Sequence, residues 1–289
     1  MQDSSNPIFP ARQDMKEHIK HFLEKYAPRL RHAVTSYNNR NLFAKRYGAF
    51  QAEVRKKLFP TNDPVVLSGP FAGMRYINEI VWGPITPKWL GTYESELHPV
   101  MDKILAEAKY ETVVDVGAAE GYYAVGLARH FSKSTVFTFD FDLRGRMQQR
   151  RLAVINKVNN LVVGFRCDAM ELQKRLNAGS GLLICDIEGF EAQLLDPSAV
   201  PSLSHTDIVV EVHPAEGRSI SEVRDLLIQR FRKTHDIEVI ESRRREVTDG
   251  RHLVPLEIPD AQVLELVDEG RPGLQYWLWM RHLRPGPSR

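Results

Sequence analysis

The sequence is poor in the features that mark several large classes of protein. It has two cysteines in 289 residues, and its 39 Lys and Arg nearly balance 37 Asp and Glu, which leaves a net charge of +2. So small a charge gives no overall attraction to nucleic acid or to an anionic membrane. No hydrophobic run approaches the roughly 20 residues of a membrane span, and the N-terminus lacks the apolar core of a signal peptide. We therefore expect a cytoplasmic protein.

Several short motifs with known chemistry are also missing. There is no H-E-x-x-H and no paired C-x-x-C, which argues against a zinc site. There is no G-x-x-x-x-G-K-[ST], so P-loop phosphate binding is excluded, and no G-x-G-x-x-G of the dinucleotide-binding turn. Zinc enzymes and P-loop enzymes are thus set aside, and an NAD(P)-dependent enzyme becomes a weak alternative.

What is present fits a globular protein made of one α/β domain and an extension. The composition is 43% hydrophobic and 26% charged, which is ordinary for a soluble domain. Residues 1–60 are basic and show helical periodicity that Pro28 interrupts, so they predict two helices. A loop-rich connector with Pro60, Pro64 and Pro70 follows. We expect residues 1–68 to form a basic helical extension and residues 69–289 to form the main domain.

From residue 112 onward, strand and helix patterns alternate, which predicts a mostly parallel sheet with helices on both faces. The predicted strands are Thr112–Val116, Thr135–Phe139, Leu161–Arg166, Leu182–Asp186, Asp207–Val212, Ile237–Ser242 and Tyr276–Leu283. The predicted helices are Tyr122–Phe131, Leu143–Val158, Ala169–Leu176, Phe190–Leu195 and Ile220–Arg232. No helix of comparable strength separates the last two strands, so we expect the sheet to end with an antiparallel strand.

The most informative stretch is Glu111–Arg129, ETVVDVGAAEGYYAVGLAR. A β-branched run ends at Asp115, Gly117 and Gly121 follow, and then a helical pattern begins. This order predicts a buried strand, a tight turn and a helix whose N-terminus faces a ligand. In open α/β sheets, ligands bind at this carboxyl edge of the strands.

The spacing D-x-G-x-x-x-G in this stretch resembles the first motif of class I S-adenosylmethionine (SAM)-dependent methyltransferases. A second stretch, LLICDIEGFE at Leu182–Glu191, resembles the D-x-E-G-x-E signature of their FkbM family. The resemblance covers about residues 69–283 and implies a Rossmann-like seven-stranded methyltransferase sheet that binds SAM. In that strand order two strands lie between those of Cys167 and Cys185, so these cysteines are expected to stay reduced.

The resemblance and the strand ends together nominate a set of cofactor-binding residues. The glycine turn brings its backbone close to the ligand, and a carboxylate after the second strand, Asp140 or as runner-up Asp142, can accept both ribose hydroxyls. The resemblance places Asp115 near the amino-acid end of SAM, Asp168 at the adenine, and the segment before the sheet over the cofactor. The predicted contacts are Tyr93, Glu94, Asp115, Gly117, Ala118, Ala119, Gly121, Asp140, Asp168 and Ala169. Each Asp has an alternative role as a helix N-cap, and Glu120 faces either the cofactor's ammonium or solvent.

The acceptor side is predicted at the ends of the fourth and fifth strands. Asp186 and Glu188 end the fourth, and alternation puts Glu211 and His213 on one side of the fifth. Methyl transfer to a hydroxyl requires loss of its proton, so His213 is the candidate base. Alternatively Asp186, Glu211 and His213 hold Mg²⁺ or Mn²⁺. Glu188 and Glu191 are either site residues or acids favoured at a helix start.

The N/D-P-P-Y tetrapeptide of amino-methylating enzymes is absent, which favours oxygen of a glycan or another small molecule as acceptor. The arginines at 144, 146, 150, 151 and 243–245 indicate solvated surfaces, or attraction of an anionic acceptor. Arg271 is expected to pair with Glu269 or with an anionic substrate group. The basic extension could form a homodimer interface, and nucleic acid is an unlikely partner on charge grounds. The alternative from another class is a non-catalytic protein that binds SAM or a nucleotide.

Overall fold

The computed structural model describes residues 48–79, 83–107, 109–176, 179–215, 217–271 and 273–283. Most of the predicted basic extension lies outside these residues. Residues 48–58 are helical (α1), which confirms the end of the second helix predicted there. The division of the chain at residue 68 stays a prediction.

A seven-stranded sheet forms the centre of the domain. Its strands are Thr112–Val116 (β1), Thr135–Phe139 (β2), Leu161–Gly164 (β3), Gly181–Cys185 (β4), Asp207–Val212 (β5), His235–Glu241 (β6) and Tyr276–His282 (β7). They are arranged in the order β3-β2-β1-β4-β5-β7-β6. The first five pair in parallel, and β7 runs antiparallel to both β5 and β6. This is the Rossmann-like sheet of class I methyltransferases, as predicted.

The five helices predicted between the strands are present, with ends that differ by up to three residues. After α1 they are Thr86–Leu90 (α2), His98–Glu107 (α3), Tyr122–His130 (α4), Leu143–Ile155 (α5), Ala169–Leu176 (α6), Glu191–Leu194 (α7), Ile220–Phe231 (α8), Val247–Gly250 (α9) and Asp260–Val267 (α10). Two short helices, α9 and α10, separate β6 from β7. The expectation that nothing comparable intervenes is therefore too simple, although the antiparallel ending is confirmed.

Two hydrophobic cores cover the two faces of the sheet. Val113 on β1 faces the core that contains α3 and α4, and its neighbour Val114 faces the core that contains α6 and α8. β1, β4 and β5 are buried along their full length. This two-sided burial explains why these strands are continuous hydrophobic runs rather than alternating ones.

A third, smaller core joins the chain before the sheet to the segment between β6 and β7. Val54 of α1 and Leu90 of α2 pack here with Val263 and Leu266 of α10. The residues around α1 are thus attached to the same body as the sheet. No helix among the described residues has the length and apolar character that crossing a membrane requires.

Candidate active site

The turn between β1 and α4 is packed so closely that its first glycine has no room for a side chain. Gly117 has a φ of 87°, a left-handed value that glycine adopts readily. A Cβ atom on Gly117 would lie 1.6 Å from the carbonyl oxygen of Asp186. The first predicted motif therefore makes direct backbone contact with the D-x-E-G-x-E stretch, which the strand order places beside it on β4.

Asp140 holds this turn from the end of β2. Its Oδ2 accepts the Ala119 N–H at 2.8 Å and its Oδ1 accepts the Asp142 N–H at 2.6 Å. Burial raises the pKa of Asp140 to about 6, against the lowering effect of these hydrogen bonds. Asp142 instead caps α5, since its side chain accepts the Arg144 N–H. Asp142, the second candidate for binding the ribose hydroxyls, thus already has a structural role as a helix cap.

A pocket opens beside the turn at the carboxyl edge of β1 and β4. Its walls include six of the predicted site residues: Tyr93, Asp115, Gly117, Ala118, Ala119 and Asp186. Its other walls are Lys88, Glu120, Tyr122, Tyr123, Ile184 and Trp277. Apart from Glu120, the sequence did not identify these residues as site residues. Lys88 and Trp277 lie far from the motifs along the chain, and Tyr122, Tyr123 and Ile184 lie within them as part of the predicted helix and strand.

Asp115 is a buried acid at the floor of this pocket. It is 3% exposed, and its Oδ2 atom has no hydrogen-bond partner among the described residues. Burial, with the nearby charge of Asp140, raises the pKa of Asp115 to about 8. A cationic ligand group beside Asp115 would offset the cost of its charge.

Glu120 is buried in the pocket wall and does not face solvent. Its Oε1 atom accepts hydrogen bonds from Lys88 Nζ and, at 2.8 Å, from Tyr76 Oη. Both side chains of the Lys88–Glu120 ion pair are almost fully buried. Glu120 therefore anchors α2 to the turn as part of the pocket wall.

Arg271 ties the segment before the sheet to the end of β5. Its guanidinium donates to Glu94 and to Glu211, each at 2.8 Å, and to Glu269 at 2.7 Å. Glu94 also accepts from Tyr123 Oη. Burial raises the pKa of Glu94 to about 7, opposed by Arg271. The predicted pairing of Arg271 with Glu269 is confirmed. Arg271 also pairs with Glu94 and Glu211.

His213 is held at the acceptor side by Glu191. The ring Nδ1 donates to Glu191 Oε1 at 2.9 Å. Glu191 is fully buried, and the same oxygen accepts the backbone N–H groups of Ile187 and Gly189 at 3.1 and 3.2 Å. The carboxylate thus fixes the ring and leaves Nε2 directed at the remaining acids. From the sequence, Glu191 was either a site residue or an acid favoured at a helix start.

Close packing also explains why the D-x-E-G-x-E stretch has glycine at position 189. Gly189 has a φ of 102°, and a Cβ there would lie 2.7 Å from the carbonyl oxygen of Pro214. The loop after β4 can therefore approach the chain just beyond His213. This approach brings Glu191 within reach of the imidazole.

Carboxylates surround the free nitrogen of His213. Its Nε2 lies 3.8 Å from Asp186 Oδ1, 3.8 Å from Glu188 Oε2 and 4.0 Å from Glu211 Oε2. Burial alone lowers the pKa of His213, but the Glu191 hydrogen bond and the surrounding acids outweigh it and raise the pKa to about 10. Burial raises the pKa of Asp186 to about 7 and that of Glu211 to about 8. The cluster therefore favours a bound proton or another cation.

The candidate metal ligands named from the sequence come together in space. One ligand atom each from Asp186, Glu211 and His213 can be chosen so that all lie within 4.8 Å of one another. Two carboxylate oxygens and one imidazole nitrogen are a donor set that suits Mg²⁺ or Mn²⁺.

Other predicted residues lie further from the pocket. Asp168 begins α6, where its Oδ1 accepts the Glu171 N–H at 3.1 Å, and it is followed by half-buried Ala169. Arg245 is not solvated as expected, because its side chain is 5% exposed and pairs with Glu96 and Glu269. Cys167 and Cys185 are free thiols, as predicted.

Comparisons with known proteins give similarity at the level of structure only. No protein-family model matches the chain, and its sequence matches no curated protein. Trm5b from Pyrococcus abyssi is 15% identical over 73% of this chain with a TM-score of 0.39. M. jannaschii TYW2, crystallised with AdoMet, is 14% identical over 72% of this chain and 80% of its own, with a TM-score of 0.40. Precorrin-6y C5,15-methyltransferase from Geobacter metallireducens is 9% identical over 63% and 87%, with a TM-score of 0.44.

The chain spans 53% of the Pyrococcus protein. At these identities and TM-scores the similarities say nothing about substrate or activity. The fold assignment rests on the strand order of this chain.

Proposed function

We propose that the protein is a SAM-dependent methyltransferase of FkbM type that methylates a hydroxyl oxygen of a sugar, a glycan or another small molecule. The observation that carries this proposal is the contact of Gly117 with the Asp186 backbone. It lies between β1 and β4, where the strand order reverses, and this is the place where open α/β sheets bind their ligands. A pocket with two acids, Asp115 and Asp186, opens there.

The polar groups of the pocket fit SAM. Asp115 Oδ2 and Asp186 Oδ1 are buried oxygens without a hydrogen-bond partner among the described residues. Both suit a ligand that carries an ammonium and a sulfonium group, because a buried carboxylate is stabilised by a nearby positive charge. When bound, SAM supplies an activated methyl group. Besides the pocket residues, we assign Asp140 and Gly121 to the ribose side, Asp168 and Ala169 to the adenine, and Tyr93 with Glu94 to the cover.

His213 is the base in this proposal. A hydroxyl acceptor must lose its proton, and the ring of His213 presents Nε2 while Glu191 holds Nδ1. In the free protein the acids keep His213 protonated. A cationic ligand beside Asp186 and Glu211 lowers the pKa of His213, because it competes with the imidazole proton for the same acids. Occupation of the pocket therefore favours the neutral ring, which can act as a base.

A bound divalent metal is the alternative way to activate the hydroxyl. Asp186, Glu211 and His213 would hold it, and the chemistry it supplies is polarisation of the acceptor oxygen. Glu211 already pairs with Arg271 through Oε1, so only Oε2 is available to the metal. Asp186 Oδ1 has no competing partner among the described residues.

The charge around His213 bears on the kind of acceptor. Asp186, Glu188, Glu191 and Glu211 surround one imidazole. An anionic acceptor would be repelled here, so a neutral hydroxyl compound fits better than the acidic glycan considered from the arginine clusters.

Binding of S-adenosylhomocysteine to two matched variants tests the cofactor assignment. Asp140→Ala should abolish binding while the protein stays folded, because it removes the proposed ribose acceptor and releases the Ala119 N–H. Asp142→Ala should keep the affinity and lose only about 1 kcal/mol of stability, as for a helix N-cap. Normal affinity in Asp140→Ala would contradict the proposal.

A further inference from the structure

Two buried hydrogen-bond donors in the pocket wall lack an acceptor. They are Tyr122 Oη and Trp277 Nε1, and neither has a partner among the described residues. Tyr122 is 5% exposed and Trp277 is 1% exposed, and both line the pocket. Buried polar side-chain atoms are nearly always paired, and leaving one unpaired costs about 1–3 kcal/mol. Both groups therefore call for an explanation.

Neighbouring tyrosine and tryptophan side chains do have hydrogen-bond partners. Tyr123 Oη donates to Glu94, and Tyr76 Oη donates to Glu120. Trp89 Nε1 donates to the Ile77 carbonyl at 2.9 Å. Comparable hydroxyl and indole donors in the same region of the core are thus hydrogen-bonded. Tyr122 and Trp277, which lack a partner among the described residues, come from different elements. Tyr122 is the first residue of α4, and Trp277 lies on β7 opposite Glu211.

The opposite kind of group is also present in the same pocket. Asp115 Oδ2 is a buried acceptor without a donor. Glu120 Oε2 and Asp186 Oδ1, which also belong to pocket-lining residues, are unpartnered too among the described residues. The pocket therefore offers two neutral donors and three acids, which together match a ligand part that carries both an acceptor and a positively charged donor. An α-amino-acid group has both, since its carboxylate and ammonium share one carbon atom.

We infer that Tyr122 and Trp277 bind the carboxylate of a ligand's free α-amino-acid group, whose ammonium would lie at the unpartnered acids of the same pocket. This inference rests on the proposed function, because SAM carries such a group, and it names the contacts that distinguish SAM from nucleosides without it. Burial raises the pKa of the Tyr122 hydroxyl, so the group stays a donor at physiological pH. Neither residue was nominated from the sequence.

The test compares two nucleosides that differ in the amino-acid group. S-adenosylhomocysteine has the group, and 5′-methylthioadenosine lacks it. Binding of each is measured by calorimetry on the full chain for wild type, Tyr122→Phe and Trp277→Phe. Losing one hydrogen bond to a charged group should weaken S-adenosylhomocysteine by roughly 10- to 100-fold in each variant. Affinity for 5′-methylthioadenosine should not change.

Thermal unfolding of the ligand-free proteins gives a second readout, in which the pocket variant should lose no stability although its affinity for the ligand falls. Tyr122→Phe removes a hydroxyl without a partner, so its melting temperature should equal or exceed that of wild type. Tyr110→Phe is the control, because Tyr110 Oη donates to Asp207 at 2.8 Å at the other end of the sheet. That control should melt at a lower temperature and bind both nucleosides normally.

The outcomes separate this inference from the proposed function. If wild type binds S-adenosylhomocysteine but the two pocket variants bind it equally well, the inference is wrong and the cofactor assignment stands. An equal loss of both nucleosides in Tyr122→Phe would also contradict it. If wild type binds neither nucleoside, both the inference and the proposed function fail.

Discussion

The Nδ1 atom of His213 donates to the carboxylate of Glu191 across 2.9 Å. Glu191 lies six residues after β4 ends at Cys185, and His213 directly follows the end of β5, so the contact joins the segments that leave two neighbouring strands. The carboxylate also binds the amides of the loop that contains Glu188 and Gly189. One buried acid thereby sets both the shape of the loop and the orientation of the candidate base.

Glu191→Gln should release His213. The amide nitrogen of glutamine would face a donor in either orientation. At the Oε2 position it meets the Gly189 N–H, and at the Oε1 position it meets the His213 Nδ1–H and the Ile187 and Gly189 N–H groups. We expect the protected Nδ1–H proton resonance of His213 to disappear in the NMR spectrum. Methyl transfer should fall by roughly 10²–10⁴-fold, the usual range for general-base catalysis, with S-adenosylhomocysteine affinity nearly unchanged.

Glu188→Gln is the matched control, because the Glu188 side chain is 54% exposed and lies 3.8 Å from the other ring nitrogen. It should keep the Nδ1–H resonance. Persistence of that resonance in Glu191→Gln would show that Glu191 does not position the ring.

Gly117→Ala should destabilise the fold strongly. The added methyl group would collide with the Asp186 carbonyl, and the φ of 87° is unfavourable for alanine. We expect a loss of more than about 3 kcal/mol in urea unfolding. Gly217→Ala is the control, since Gly217 has a φ of 67° but no atom near its added Cβ. It should lose only about 1 kcal/mol, and equal losses in both variants would contradict the close packing of the turn.

The burial of Asp115 predicts a pH dependence of stability. Its pKa is about 8 in the folded protein, against an ordinary value of 3.8. Between these values the folded state holds a proton that the unfolded chain has lost, so the free energy of unfolding should decrease as pH rises from 4 to 8. The raised pKa of His213 acts in the same direction at higher pH.

Asp115→Asn isolates this contribution. The variant should be more stable than wild type at pH 8 by up to about 5 kcal/mol, and the two should converge at pH 4. It should also lose affinity for S-adenosylhomocysteine. A difference in stability that does not depend on pH would rule out a raised pKa at Asp115.

The metal alternative predicts measurable Mn²⁺ binding. Wild type should bind Mn²⁺ in an electron paramagnetic resonance titration, and Asp186→Asn should abolish this binding because it weakens one of three ligands. Glu188→Gln should retain it, since Glu188 is outside the ligand set. Lack of Mn²⁺ binding in wild type would leave His213 as the only candidate for activating the hydroxyl.

Local sequence patterns predicted the sheet well because its central strands β1, β4 and β5 are continuous hydrophobic runs, buried on both sides. β1, β2 and β5 begin and end at the predicted residues, where β-branched runs meet Gly, Asp or Pro. β6 begins two residues earlier than predicted. Its exposed positions give a weaker signal than the buried strands do.

The candidate site was predictable only in part, because local patterns show which edge of the sheet a residue lies on and not what it touches. The spatial cluster of Asp186, Glu211 and His213 follows from strand ends alone. The contact of Arg271 with Glu94 joins residues 177 positions apart, and Trp277 enters the pocket from the last strand. Periodicity gave no sign of these contacts, nor of the burial of Arg245.

Calorimetric titration of the purified protein with SAM and S-adenosylhomocysteine, and separately with NADH, tests the central claim most directly. The proposed function predicts dissociation constants in the micromolar range or tighter for both sulfur nucleosides, and no binding of NADH. Binding of NADH alone, or of none of the three, would contradict the assignment of this pocket to SAM.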